Sequence, residues 1–402
     1  MPGPLVKPLS IALAGVSGYG EFYLSYLLKG APSLLHLAAV VDPRIEHSFF
    51  LKPLTEKGVK LYTDSDAFFK EGRADLLIIA APIHFHAPYV VSALKRGMHV
   101  LCEKPLCATV QEAREMLGAQ TTTPGLKAAV GYQWSFSSAI QALKADIING
   151  VFGKPLRLKT FAAWPRTMAY YTRNSWAGAL KDAAGRWVFD GPVNNALAHY
   201  LHNMFYIIGK TADSSAVPRT VEAELYRAYN IQSYDTAALR CFTEDSVEIL
   251  MLCSHAVENS KGPICEYVFE KGVVRFDDHI LRAAFSDGTT KSYGCPEMQP
   301  YRKVEWAAEA ILFDQPMPCG IAAAMSQTLC INGMHQSVRE SVVFPTDMVH
   351  VSQSGKSEQR WVAGLSETLE TCFNENTLPS EKGVPWAKKG KSVDLSDSAY
   401  IF

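Results

Sequence analysis

A short apolar run at residues 11–14 is broken by Gly15-Val16-Ser17-Gly18-Tyr19-Gly20 and followed by helical spacing over 21–29. No other stretch constrains the fold as tightly. In the helical part Phe22, Leu24, Tyr26 and Leu27 are apolar, and Gly30 supplies a stop. Glycines between a strand and a helix let the backbone come close to a pyrophosphate. The helix N-terminus then offers unpaired N–H groups and a favourable dipole. Gly-x-x-Gly-x-Gly is a variant of the commoner spacing, and glycines alone would say little. Asp42 adds weight, because it ends a second apolar run, 35–41, where a ribose-binding acid belongs. Its carboxylate accepts hydrogen bonds from ribose hydroxyls and repels a 2′-phosphate, which favours NAD over NADP; Arg44 pulls slightly the other way.

The alternation of strand and helix continues. Residues 60–62 and 76–81 read as strands, the latter ended by Pro82. A helix over about 87–95 leads to a strand at 99–102 that delivers Glu103-Lys104-Pro105. Thr109 and Glu112 have capping-box spacing and open a helix toward Leu117, and 126–132 closes the series. This order predicts an α/β fold whose N-terminal part is a parallel, doubly wound Rossmann sheet. A chain of 402 residues exceeds one ordinary core, so two domains are expected, 1–130 binding NAD and 131–402 binding substrate and carrying oligomerisation. From residue 220 onward, β-type runs at 221–228, 236–242, 246–253, 264–269 and 273–277 predict a meander, followed by helices at 304–312 and 321–337. The tail after Pro379 is lysine-rich, then hydroxyl-rich, and suits wrapping a neighbouring domain or subunit.

Several classes are disfavoured. The net charge of -1 is spread along the chain and gives no electrostatic reason to expect nucleic acid or a membrane surface as partner. The nine cysteines form no Cys-x-x-Cys pair and read as small buried hydrophobes in a reducing compartment. The start of the chain lacks a signal-peptide pattern, and no stretch approaches the roughly 20 apolar residues of a membrane helix, so a cytoplasmic location is expected. His84 and His86 lie two apart without a third ligand nearby, so no metal is expected.

Gly15, Gly18, Gly20, Asp42, Ala81-Pro82 with His86, and Glu103-Lys104-Pro105 together resemble the glucose–fructose oxidoreductase/inositol dehydrogenase/rhizopine-catabolism (Gfo/Idh/MocA) family. The likeness continues through 150–155, the way into that family's second domain, and to His199 before Gly209. It implies a C-terminal α/β domain with a large, open, mostly antiparallel sheet, a nicotinamide cofactor, a sugar or polyol substrate, and a homodimer or homotetramer. It also implies that Lys104 is the catalytic lysine, with Pro105 after a cis peptide bond. Gly15, Gly18, Tyr19, Gly20, Asp42, Pro82, His86, Glu103 and Lys104 are the implied cofactor contacts. Two departures stand out. Members usually carry Asp four residues before the histidine, where this chain has Asn195. Many also carry an arginine within 131–136, which here reads Gly-Tyr-Gln-Trp-Ser-Phe.

The stretch 195–209 is mostly apolar and reads as a buried helix, on which Asn195, His199 and Asn203 recur every four residues with His202 beside them. Before it, Trp164-Pro165-Arg166 and Tyr170 to Trp176 mix aromatic, guanidinium and amide groups. Aromatic faces pack on the C–H surfaces of sugars, and arginine and asparagine give directional donors for hydroxyls or a carboxylate. Trp164, Arg166, Tyr171, Arg173, Asn174, Trp176 and His202 are the candidate substrate contacts. His255, just past a strand end, reads as a structural histidine. The leading expectation is hydride exchange between a secondary alcohol of a carbohydrate and NAD, with Lys104 or His199 taking the hydroxyl proton and Asn195 orienting. A lysine base would need its pKa brought down from about 10.4, whereas histidine titrates near neutrality unaided. Two rivals are a redox-neutral NAD-dependent glycosidase, working by transient oxidation and elimination, and a non-catalytic NAD-binding sensor.

Overall fold

A computed structural model describes residues 7–396 of the chain. They form two compact units. The first holds residues up to 107, then 111–136 and 299–322; the second holds 108–110, 137–298 and the chain from 323 onward.

In the first unit six strands, β1 (Leu9–Ala14), β2 (Leu35–Val41), β3 (Lys60–Tyr62), β4 (Leu76–Ile79), β5 (His99–Cys102) and β6 (Ala128–Val130), lie in the order β3-β2-β1-β4-β5-β6. Every pairing is parallel. That is the doubly wound order with its switch point between β1 and β4, where such folds bind ligands. β4 reads Leu-Leu-Ile-Ile and is buried throughout, as a strand covered on both faces must be. The helix Tyr19–Lys29 follows the glycine-rich turn, with Gly30 closing it on the Tyr26 carbonyl. The helix Arg302–Leu312 also belongs to this unit. Tyr301 stacks on Phe22 and Tyr26 at ring-centre distances of 4.3 and 4.1 Å, and the Tyr26 hydroxyl donates to Glu305.

The second unit is built on a sheet of ten strands among the described residues: β7 (Pro155–Ala163), β8 (Pro218–Arg227), β9 (Thr236–Thr243), β10 (Glu248–Ser254), β11 (Lys261–Phe269), β12 (Gly272–Asp277), β13 (Ile280–Phe285), β14 (Thr290–Gly294), β15 (Val342–Val343) and, beyond the separate hairpin β16 (Val349–Ser354) and β17 (Ser357–Val362), β18 (Val393–Asp394). The order is β14-β13-β12-β11-β7-β10-β9-β8-β15, with β18 also beside β8. Only β7–β10 and β15–β8 are parallel. The sheet is thus the large, open and mostly antiparallel one expected. Its core gathers Phe161, Leu250, Leu252, Leu365, Leu369 and Phe373, where the helix Leu365–Glu375 covers one face. The tail after Pro379 binds within its own unit: Val393 and Asp394 pair with Val221 and Thr220.

The helix expected over 195–209 differs at its start. Pro192–Asn194 forms a single tight turn, Asn195 leaves it at φ −132° and ψ −91°, and the α-helix runs only over Ala198–Ile207. Asn195 therefore does not share a helical face with His199 and Asn203. Among the described residues no helix is long and apolar enough to cross a membrane.

Candidate active site

In the first unit, Gly15, Asp42, Ala81-Pro82 and Glu103-Lys104 all follow the carboxyl ends of β1, β2, β4 and β5. The turn after β1 requires its glycines for different reasons. A Cβ on Gly15, at φ +92°, would lie 2.5 Å from the Ala80 carbonyl oxygen, and one on Gly20 would lie 2.3 Å from that of Gly15. Both are contacts of backbone with backbone, so neither can be relieved by a side chain moving aside. Gly18 has φ +57° and nothing within 4 Å of its Cβ position. Open space above a turn of this kind, at the start of the helix Tyr19–Lys29, fits the pyrophosphate of a dinucleotide. Asp42 is buried; its Oδ2 accepts the Val16 N–H at 3.0 Å and its Oδ1 the Arg44 N–H at 2.8 Å. The carboxylate is thus tied to the glycine-rich turn itself.

The Lys104–Pro105 peptide bond is cis. His86 is fully buried, with Nδ1 2.8 Å from the Pro105 carbonyl and Nε2 2.9 Å from that of Ala81. Burial lowers its pKa. His86 thus sits between the end of β4 and the Lys104–Pro105 turn, its neutral ring donating to one of the two carbonyls. Glu103 is likewise turned inward: one carboxylate oxygen accepts from the Tyr23 hydroxyl and the Lys303 ammonium, the other from the Lys104 backbone N–H at 3.2 Å. Lys104 itself is half-buried.

The second unit carries the other cluster. His199 lies one residue into its helix and is half-buried. His202 is buried against Tyr206, and burial together with the charge of Lys144 lowers its pKa to about 3, so it is a neutral interior group. Asn203 donates to the Tyr267 hydroxyl at 3.1 Å and braces the sheet. Asn195 donates its amide to Asp190 Oδ1 at 2.7 Å, while Asp190 Oδ2 accepts the Gly178 N–H at 2.6 Å. Asp190 is buried and had no periodic signal to mark it. A carboxylate therefore does stand beside this position, supplied from five residues upstream.

The aromatic loop divides into two sets. Tyr171 turns inward onto Tyr229 and Ile231, and the Asn174 side chain accepts the N–H groups of Trp176 and Ala177, making it a turn residue. Trp164 donates its indole N–H to Gly262 and meets Tyr200 edge-on at 5.9 Å, next to His199 in sequence. The guanidiniums of Arg166 and Arg173 lie 5.1 and 3.7 Å from the centre of the Tyr170 ring, and Arg173 also lies 5.4 Å from that of Trp176. Tyr170 was not singled out from the sequence, although it organises both arginines. His255 is a structural histidine: its Nδ1 meets the Trp164 carbonyl at 2.8 Å, and burial, then the charge of Arg166, lower its pKa to about 3.

Residues 9–132 match the family model described as an oxidoreductase family with an NAD-binding Rossmann fold. An inositol 2-dehydrogenase from Azotobacter vinelandii is 28% identical over 275 residues, 67% of this chain and 74% of that one. A D-glucoside 3-dehydrogenase from Escherichia coli K12 is 29% identical over 151 residues, 37% of this chain and 41% of that one. Among solved structures, the dehydrogenase WlbA from Bordetella pertussis, in complex with NADH and UDP-GlcNAcA, superposes with a TM-score of 0.67 at 18% identity, covering 83% of this chain and 97% of its own. That last likeness is one of fold.

Proposed function

From the premise that this chain belongs to the Gfo/Idh/MocA oxidoreductases, we propose that it oxidises a secondary alcohol of a sugar, polyol or sugar derivative with NAD as hydride acceptor. The observation that carries the reading is the convergence of the glycine-rich turn, Asp42 and Lys104 on the carboxyl ends of β1, β2 and β5, along one edge of the parallel sheet. Gly15, Gly18, Tyr19, Gly20 and Asp42 would hold NAD, with Pro82 lining it, and the cofactor would supply the hydride acceptor. His86 and Glu103 contribute from behind by fixing the backbone of that surface.

The chain's own task is the proton. Lys104 and His199 are the groups proposed to take it from the substrate hydroxyl, each able to hold a proton on a side-chain nitrogen. Asn195 cannot ionise. Its amide is oriented by Asp190 and is proposed to orient in turn, the acid's charge standing one hydrogen bond further back. Trp164, Arg166, Arg173 and Trp176 are proposed to line the sugar; Tyr171, Asn174 and His202 are proposed to act through packing. The functional division we propose keeps cofactor binding in residues 1–130 and substrate binding and oligomerisation in 131–402, with 299–322 completing the first. A cytoplasmic homodimer or homotetramer joined through the open sheet is part of the same proposal.

The test incubates the protein with NAD and a panel of free polyols, sugars and chromogenic glycosides, following NADH absorbance and aglycone release together. NADH accumulating with an alcohol substrate is the expected result. NAD-dependent aglycone release without NADH would replace the reading with redox-neutral hydrolysis.

A further inference from the structure

Lys303 lies on the helix Arg302–Leu312, two hundred residues from Glu103, and its ammonium is buried against the Glu103 carboxylate. It also reaches the Gly131 carbonyl at 3.4 Å and sits 4.4 Å from the ring centre of Tyr19 and 5.3 Å from that of Tyr23. Gly131 leaves room for the pair, since a Cβ there would fall 2.9 Å from Glu103 Oε1. An ammonium and a carboxylate taken out of water persist only when each compensates the other, and such pairs are a poor route to stability. This one has a particular address. Glu103 accepts the backbone N–H of Lys104, and Tyr19 follows Gly18 in the glycine-rich turn.

We propose that Lys303 is a positioning residue for the reaction: through Glu103 it fixes the backbone of Lys104, and through Tyr19 it ties that strand end to the dinucleotide turn. The inference rests on the reading of Lys104 as a proton-handling lysine. Neither Lys303 nor Glu103 needs to touch substrate.

Removing the ammonium leaves the buried Glu103 carboxylate without its cation, and no charge then holds it turned inward with its second oxygen on the Lys104 N–H. The other groups facing it are the hydroxyls of Tyr23 and Tyr19, the His86 imidazole, kept neutral by burial, and the Cys102 thiol, kept protonated by burial. None of these supplies a replacement charge.

The experiment compares Lys303→Met, the double variant Glu103→Gln with Lys303→Met, and Lys104→Ala. It reads kcat and KM for NADH formation, and NAD binding by fluorescence titration. For Lys303→Met the expected kcat loss is about tenfold to a hundredfold, the scale of a small misplacement of a reacting group. KM for the alcohol should change little, and NAD binding should weaken several-fold through Tyr19. The double variant leaves no unpaired buried charge and keeps an acceptor for the Lys104 N–H, so its kcat deficit should be smaller. A kcat loss as large in the double variant as in Lys303→Met would overturn the proposal, as would unchanged turnover and NAD affinity. If Lys303→Met does not fold, the double variant decides: wild-type turnover and NAD affinity there overturn the proposal. Retained turnover in Lys104→Ala would instead remove the reading beneath it.

Discussion

The two units hold a buried polar group rigid with different chemistry. In the first, Glu103 is clamped by a buried cation and a phenol, and the charge is sealed from water. In the second, Asn195 is clamped by the buried carboxylate of Asp190, which has a backbone N–H as its other acceptance. The first arrangement places its charge behind the strand end that carries Lys104; the second places its charge behind a neutral amide. At Asn195 the chain keeps a carboxylate within one hydrogen bond of a neutral amide, supplied by Asp190.

The sharpest way to break the comparison is at the turn that makes the first unit a cofactor site. Gly15→Ala puts a Cβ 2.5 Å from a backbone oxygen at a φ that disfavours side chains. NAD affinity should fall by about a hundredfold or more, because strain of about 1–3 kcal/mol adds to a displaced phosphate turn. Fluorescence titration with NAD measures it, and near-normal affinity would mean the turn is not where the dinucleotide lies. A smaller effect is expected in the second unit. Asp190→Asn keeps the shape but replaces a charge-assisted bond with a neutral one, so kcat should fall about tenfold while NAD binding is unchanged. If kcat is unaffected, the displaced acid is scaffolding only.

The smallest effect is one of acid sensitivity. His202, His255 and His335 all lie in the second unit with pKa values near 3, chiefly through burial. As pH falls below about 6.5 the unfolded chain gains protons on these rings that the folded chain refuses, so stability present above that pH is lost progressively toward pH 3. Asp235 acts the other way. Burial raises it to about 6, so its contribution is full below about pH 3.9 and is lost as pH rises through 6. At pH 5 each histidine costs on the order of 1–2 kcal/mol and Asp235 returns about 1, so the histidines prevail. The urea midpoint should be lower at pH 5 than at pH 7, and His335→Gln should make that difference shallower. A midpoint unchanged with pH would show that burial does not keep these rings neutral.

What could be read from the chain follows from how local each cause is. β2 and β5 lie where apolar runs and their punctuation put them, because a largely buried strand needs little beyond its own residues; β3, a partly exposed edge strand, is also where its short run put it. The glycines and Asp42 were legible for the same reason. β7 carries no such signal: it begins with proline and sets Arg157 and Lys159 among its apolar residues, Lys159 being buried only because Glu266 and the Phe373 carbonyl satisfy it. The short β15 and β18 exist only as partners of β8 and carry no pattern of their own. The spacing of four from Asn195 to Asn203 suggests one helix, but Asn195 closes the turn that Pro192 begins and the helix starts only at Ala198. Lys303 and Asp190 had no local mark at all. One is an ordinary charge on a helix two hundred residues from its partner, the other a lone acid in a loop.

The return of 299–322 to the first unit sets an order of events during synthesis. When the ribosome has made the first 136 residues, all six strands of the parallel sheet exist, but Glu103 has no cation and Phe22 and Tyr26 have no Tyr301 to stack on. The dinucleotide-binding half must wait, unfinished, while nearly the whole of the ten-stranded sheet emerges behind it. A fragment ending at residue 136 would therefore be an unreliable stand-in for the nucleotide-binding half, however complete its motifs look on paper.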